Sequence, residues 1–215
     1  LGTDEDSVWR DKINFTGTGR DPSKPVTLEG MRRSTLSMFP GSLKYLDKEA
    51  KVELAKMFWL SVSETFPEAW NNRQKEVDID TGNGKSQTVT TGKTAKLING
   101  TKRNIPAVKY RLTDLVGVAS LAKIAGEIMT EANAVGKDNG DHKLRDEYIK
   151  SEVDKLSGVD WEKNPRNAWT NGQAGFAGLK GTYEALAYLR ANGIAPWETL
   201  EDQGDQTVNS EGYEI

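Results

Sequence analysis

The stretch Thr113–Val135, "TDLVGVASLAKIAGEIMTEANAV", decides how the rest of the chain is read. Leu115, Val118, Leu121, Ala122, Ala125, Ile128 and Met129 recur at steps of three and four residues. That spacing lays them along one broad face of an α-helix, and a face so wide belongs to a helix packed on several sides. The spacing therefore predicts a central core helix, with Thr113 as its N-cap and "VGKDNGD" (Val135–Asp141) as its break.

Outward from this helix the same period returns. In "KEAKVELAKMFWLSVSETF" (Lys48–Phe66), Val52, Ala55, Phe58, Trp59, Val62 and Phe66 share a face behind a capping Asp47, and Pro67 follows. Thr27 caps a shorter helix over 28–39, with Leu28, Met31, Leu36 and Phe39 as its expected buried side and Pro40-Gly41 as its stop. A charged helix is expected near 141–156. A last long helix runs over "FAGLKGTYEALAYLRANG" (Phe176–Gly193), whose face is traced by Phe176, Leu179, Tyr183, Leu186 and Leu189 or Arg190, with Gly193 as its C′ residue.

The fold class expected is mainly α: a helical, bundle-like domain over 27–200 carrying one basic β-hairpin insertion at 75–112. Residues 1–26, punctuated by Gly17, Gly19, Pro22 and Pro25, read as an irregular N-terminal segment. Residues 201–215 read as a disordered acidic tail, because they are acidic and hold few apolar side chains.

The hairpin is read from "AKLINGTKRN" (Ala95–Asn104), where Asn-Gly between two short runs is the signature of a two-residue turn. A mobile tip is expected around Gly82–Gly92. Its charge is more distinctive than its shape. The net charge of the chain is −3, yet Thr81–Thr113 holds seven basic residues and no acidic one: Lys85, Lys93, Lys96, Lys102, Arg103, Lys109 and Arg111. Glu198–Ile215 holds six acidic residues and no basic one. Two readings of the cationic ribbon stay open: lysines that keep a strand edge from pairing with other chains, and contacts to a nucleic-acid backbone. Tyr110 is its single aromatic, so recognition by base stacking is not indicated.

"GKS" (Gly84–Ser86) and "GKT" (Gly92–Thr94) within this stretch invite a phosphate-loop reading, and the spacing refuses it. A P-loop places its first Gly five positions before the Gly-Lys pair, where this chain has Ile79 and Gln87. "QTVTTGKTAK" is also a poor helix start, and the loop needs a helix N-terminus to hold the anion.

Composition excludes several classes of function. There is no Cys, which removes disulfides, thiolate nucleophiles and Cys-based zinc sites. The single His142 sits at the start of a polar helix and reads as a solvated residue. Asp78, Asp80, Asp138, Asp141 and Glu147 offer oxygen ligands, but "GKDNGDHKLRDE" (Gly136–Glu147) lacks the acidic alternation of a calcium loop. An acidic helix start accounts for it instead. No apolar run reaches the roughly 18 residues of a membrane helix. The N-terminus lacks both an initiator Met and the order of a signal peptide, so a processed or longer parent chain and a cytoplasmic location are expected. Trp9, Trp59, Trp70, Trp161, Trp169 and Trp197 read as structural anchors. An exposed patch at Trp161 and Trp169 would instead mark an oligomerising protein of a phage or mobile element.

"SVWRDKINFTG" (Ser7–Gly17), "TLEGMRRSTLSMF" (Thr27–Phe39), "FPEAW" (Phe66–Trp70), "LTDLVGVASLAKIAGEIM" (Leu112–Met129) and "VDWEKNPRNAW…GQAGFAGLKGTYEAL" (Val159–Leu186) follow one another in this chain. In order and spacing, over about three quarters of the chain, they resemble the C-terminal half of DGQHR-domain proteins. These are relatives of the ParB/sulfiredoxin-like group that include DndB-like regulators of DNA-modification and phage-defence islands. The Asp-Gly-Gln-His-Arg motif itself is absent. "NGQAG" (Asn171–Gly175) matches only its Gly-Gln. The resemblance therefore implies a module that follows a motif-bearing half, with DNA or that half as partner, and it carries over no catalytic residue, metal or cofactor. The function expected is a non-enzymatic helical module of a DNA-associated protein. A structural protein and a metal-dependent enzyme are the alternatives.

Overall fold

A computed structural model describes residues 2–3, 5–15, 24, 26–81, 84–98, 100–139, 142–163 and 178–196, with the backbone alone at 137–139. The described chain is mainly α. Its helices are α1 (Leu28–Ser37), α2 (Lys48–Thr65), α3 (Pro67–Trp70), α4 (Leu115–Asn139), α5 (His142–Asp154) and α6 (Leu179–Asn192), with a 3-10 turn at Gly41–Tyr45. The expected tail, Trp169, Trp197 and Phe176 lie outside the described residues.

α4 is the axis. It packs against α1, α5 and α6, while α2 packs on α5. Val118, Leu121, Ala122, Ala125, Ile128 and Met129 are fully enclosed, as their spacing predicts, whereas Leu115 at the first turn is exposed. The cap differs by one residue from expectation. Asp114, not Thr113, accepts from the Gly117 N–H at 2.8 Å. A carboxylate there also suits the positive end of the helix. Thr113 is buried and bonds Asn72 instead. Gly117 is a site of close approach: a Cβ there would lie 2.1 Å from the Arg111 carbonyl oxygen, so only glycine lets the incoming chain fold back over the first turn. α4 also continues through Gly136 to Asn139, past the expected break.

The other caps follow the sequence. Thr27 Oγ1 accepts from the Gly30 N–H at 3.1 Å, and Asp47 Oδ1 accepts from the Ala50 N–H at 2.7 Å. Gly193 ends α6 in the left-handed conformation at φ 71°. On α1 the buried side differs. Gly30, Met31 and Ser34 face inward, and Leu28 and Leu36 are exposed. α1 lies close to α4 at Gly126, where a Cβ would stand 2.7 Å from the Ser37 carbonyl oxygen.

The N-terminal segment is part of the core. β1 (Ile13–Asn14) pairs in parallel with β2 (Val26–Thr27). Trp9 is wholly buried, edge-on to Trp59 at 5.1 Å and to Trp70 at 4.7 Å between ring centroids. Trp161 is buried edge-on to Phe66, so it contributes to no exposed tryptophan patch.

Residues 76–104 form two hairpins, not one. β3 (Glu76–Asp80) pairs antiparallel with β4 (Ser86–Thr90), and β5 (Thr94–Lys96) with β6 (Lys102–Asn104). Val89, Leu97 and Ile105 are buried here but do not join the main hydrophobic cluster. The ribbon is clasped to the helical body at its base. Tyr110 Oη donates to the Arg73 carbonyl at 3.0 Å, Lys75 pairs with Glu162 at 2.8 Å, and the Arg111 N–H donates to the Trp161 carbonyl at 2.8 Å.

Candidate nucleic-acid interface

Both Gly-Lys motifs lie in this ribbon, and each opens a strand. Ser86 begins β4 and Thr94 begins β5, so neither motif feeds a helix N-terminus. Gln87, which stands where a phosphate loop needs its first Gly, has a bracing role. Its Oε1 accepts from the Ile98 N–H at 2.9 Å and its Nε2 donates to the Lys96 carbonyl at 3.2 Å. The first hairpin thereby holds the second in place.

Register sorts the charges. In β3, Glu76, Asp78 and Asp80 are exposed at alternate positions, opposite Thr90, Thr88 and Ser86. Asp78 accepts from the Thr88 hydroxyl at 2.6 Å. A count that begins at Thr81 omits these three carboxylates, and strand pairing returns them to the first hairpin, which carries Lys85. The first hairpin is thus acidic on balance.

The second hairpin is not. Lys96 stands directly opposite Lys102, and Arg103 lies on the other face opposite Ala95. Lys93 precedes β5, where its carbonyl accepts from the Ile105 N–H at 3.0 Å. All four cations are exposed, and none forms an ion pair with another described residue. Like charges directly opposite on a strand pair repel across about 5 Å, so the arrangement opposes the hairpin's own stability.

The remaining expected contacts separate from this group. Lys85 is exposed in the turn of the first hairpin. Lys109 is exposed beyond the second, and its carbonyl accepts from the Lys163 N–H at 2.7 Å. Arg111 is buried at the base of the ribbon, which withdraws it from any surface a polyanion touches. Tyr110 is also buried, so its ring cannot stack on a base, and burial raises its hydroxyl pKa. The second hairpin therefore carries Lys96 and Lys102 on one face and Arg103 on the other, with Lys93 just before β5, and the other three cations lie outside it.

A second charged cluster, missed from the sequence, joins α4, α5 and α6. Arg190 Nε donates to Glu152 at 2.7 Å, and its guanidinium also meets Glu127 and Glu131. Lys155 adds a bond to Glu152 at 2.5 Å. Burial pushes the Glu152 carboxyl upward, but the hydrogen bonds from Lys155 and Arg190 outweigh it and hold its pKa below the usual carboxylate value. Tyr148, partly buried and donating to Glu131, is pushed up to about 12. Tyr183, hydrogen-bonded to Glu127 and partly buried, is likewise pushed up to about 12. Every described carboxylate of this cluster has a protein partner, which makes it a clamp between helices. Its sequence signal was weak: Glu127 and Glu131 are four residues apart on α4, but Arg190 is 59 residues from Glu131.

His142 is the exposed first residue of α5. Among the described residues no group of three or more His, Cys, Asp or Glu side chains is placed to hold a metal ion, and no helix is long and apolar enough to cross a membrane. The side chains of Asp138 and Asp141 lie outside the described residues. No protein-family model, curated protein or solved structure gives a significant match to the chain.

Proposed function

We propose that the chain is a non-enzymatic helical module of a DNA-associated protein of the DNA-modification or phage-defence type, and that its second hairpin contacts the phosphate backbone of a nucleic acid. The observation that carries this reading is the cross-strand Lys96–Lys102 pair flanked by Lys93 and Arg103 on an exposed hairpin. Mutual repulsion of these cations disfavours the free hairpin and is relieved when a polyanion neutralises them. The helical body positions the ribbon through its base contacts, the Lys75–Glu162 ion pair among them. The resemblance to DGQHR-domain proteins supports the DNA-associated setting, and a motif-bearing partner half is the other polymer the ribbon would meet in that setting.

The contact reads charge, not sequence, because the buried Tyr110 removes the ribbon's stacking aromatic. The test is fluorescence anisotropy with a labelled duplex, titrated by the full chain at several salt concentrations. Four cations on phosphates predict a slope of log K against log salt of about −3.6, since each neutralised phosphate contributes about −0.9. Unrelated duplex sequences should bind within a few-fold of one another. A slope near zero, or no binding at low salt, would count against the nucleic-acid contact.

A further inference from the structure

The two leucines that the helical period assigns to the core line a cleft instead. The cleft lies between the N-terminal segment, α1 and the start of α2, and its volume is about 650 Å³. Its floor is apolar: Phe15, Leu28, Met31, Leu36, Val52 and Ala55. Leu36 is 66% exposed, Leu28 47% and Phe15 49%, which is a costly amount of greasy surface in one place.

The rim is cationic. Arg32, Lys44, Lys48 and Lys51 line it, and no carboxylate does among the described residues. Arg32 is already matched by Glu29 at 2.8 Å, so the surplus charge rests on the three lysines. Lys51 donates to the Lys44 carbonyl at 2.7 Å, a bond that leaves its charge uncompensated. Lys48 and Lys51 also sit in the opening turn of α2, the positive end of that helix, where cations are disfavoured. Apolar floor and basic rim together suit an acidic segment bearing apolar side chains.

The chain contains one. Residues 198–215 carry Glu198, Glu201, Asp202, Asp205, Glu211 and Glu214 with no basic residue, interspersed with Leu200, Val208, Tyr213 and Ile215. We propose that the α1–α2 cleft is the docking site for the chain's own acidic segment, residues 198–215. The segment extends to at most about 60 Å, and α4, the longest described helix, is about 37 Å long. The cationic hairpin is the competing address, and chemistry favours the cleft: the hairpin offers charge alone, and the cleft offers charge with an apolar floor. Docking there leaves the hairpin open to an external polyanion.

The chain has no Cys, so introduced pairs report cleanly. The full chain is prepared with Val208→Cys and a second cysteine at Leu36, at Leu28, or at Lys96 on the hairpin, and oxidised at low concentration. The second cleft position guards against one substitution disturbing the fold. Unfolding midpoints are taken for each. The Leu36 and Leu28 pairs should close within one chain at least about tenfold faster than the Lys96 pair, and reversing the rim with Lys44→Glu/Lys48→Glu or adding 1 M salt should erase most of that difference. Equal rates at all three positions, faster closure at Lys96, linkage between two chains, or indifference to rim reversal would each overturn the assignment.

Discussion

The helical body and the β-ribbon differ in what holds them and in what they present. The body encloses a continuous apolar cluster around α4, and the charge network around Arg190 is internally matched. Among the described residues the ribbon's buried apolar side chains, Val89, Leu97 and Ile105, lie apart from that cluster, and its second hairpin sets like charges face to face. Burial of apolar area dominates folding, at roughly 25 cal/mol per Å², so stability concentrates in the body. Charge that opposes folding persists in the ribbon because little there depends on it. Substitutions should therefore divide cleanly: those in the body change stability, and those on the second hairpin change binding.

The largest effect expected is at the tryptophan cluster. Trp59→Ala removes a fully buried ring touching Trp9, Trp70 and Phe58, and should cost about 4 kcal/mol in urea unfolding. A loss below about 1 kcal/mol would mean that the body is not organised around this cluster. Next is the clamp. Arg190→Met leaves the 5% exposed Glu152 with only Lys155 opposite it and should cost about 3 kcal/mol. Arg190→Met paired with Glu152→Leu should recover part of the loss, since apolar replacement of both partners leaves no stranded charge.

The clamp also sets a pH signature for the body. Glu152 titrates lower when folded, so its contribution is present above the ordinary carboxylate value of about 4.3 and is lost as pH falls through its lower folded value. Tyr148 and Tyr183 titrate higher when folded. Their contribution is complete below the ordinary value of about 10 and fades as pH rises toward about 12. Thermal melts should fall in both windows, and Tyr148→Phe with Tyr183→Phe should flatten the alkaline one alone. An unchanged alkaline limb in that double variant would remove the tyrosines from the clamp. The smallest stability effect lies on the ribbon. Lys96→Glu places opposite charges across the strands and should stabilise the chain by about 0.5 kcal/mol or less while weakening duplex binding.

How far the sequence revealed this division depends on what its residues encode. Periodicity disclosed α2 and α4 because their faces are large apolar side chains at helical steps. On α1 it placed Met31 and Phe39 against the core but Leu28 and Leu36 wrongly, because the rest of the buried face is Gly30 and Ser34, residues that carry no hydrophobic signal. Leu28 and Leu36 then took the place of a core face in the reading and became cleft walls in the fold. The Asn-Gly turn located the second hairpin. The first was overlooked as a separate unit, although "EVDID" (Glu76–Asp80) alternates acidic and apolar residues with the period of a half-buried strand. Charge was harder still. The cationic window was accurate along the chain, but strand pairing set Glu76, Asp78 and Asp80 on the hairpin that carries Lys85, and the fold buried Arg111 beside Trp161. Four of the seven cations lie on the second hairpin or just before it.

The most direct test carries those four in one variant, Lys93→Gln/Lys96→Gln/Lys102→Gln/Arg103→Gln, with duplex affinity and urea midpoint measured on the same preparation. Affinity at low salt should fall at least about a hundredfold, and the salt slope should collapse toward zero. The midpoint should stay within about 0.5 kcal/mol of the parent chain. Retained, salt-sensitive binding with those charges gone would contradict the placement of function on the second hairpin.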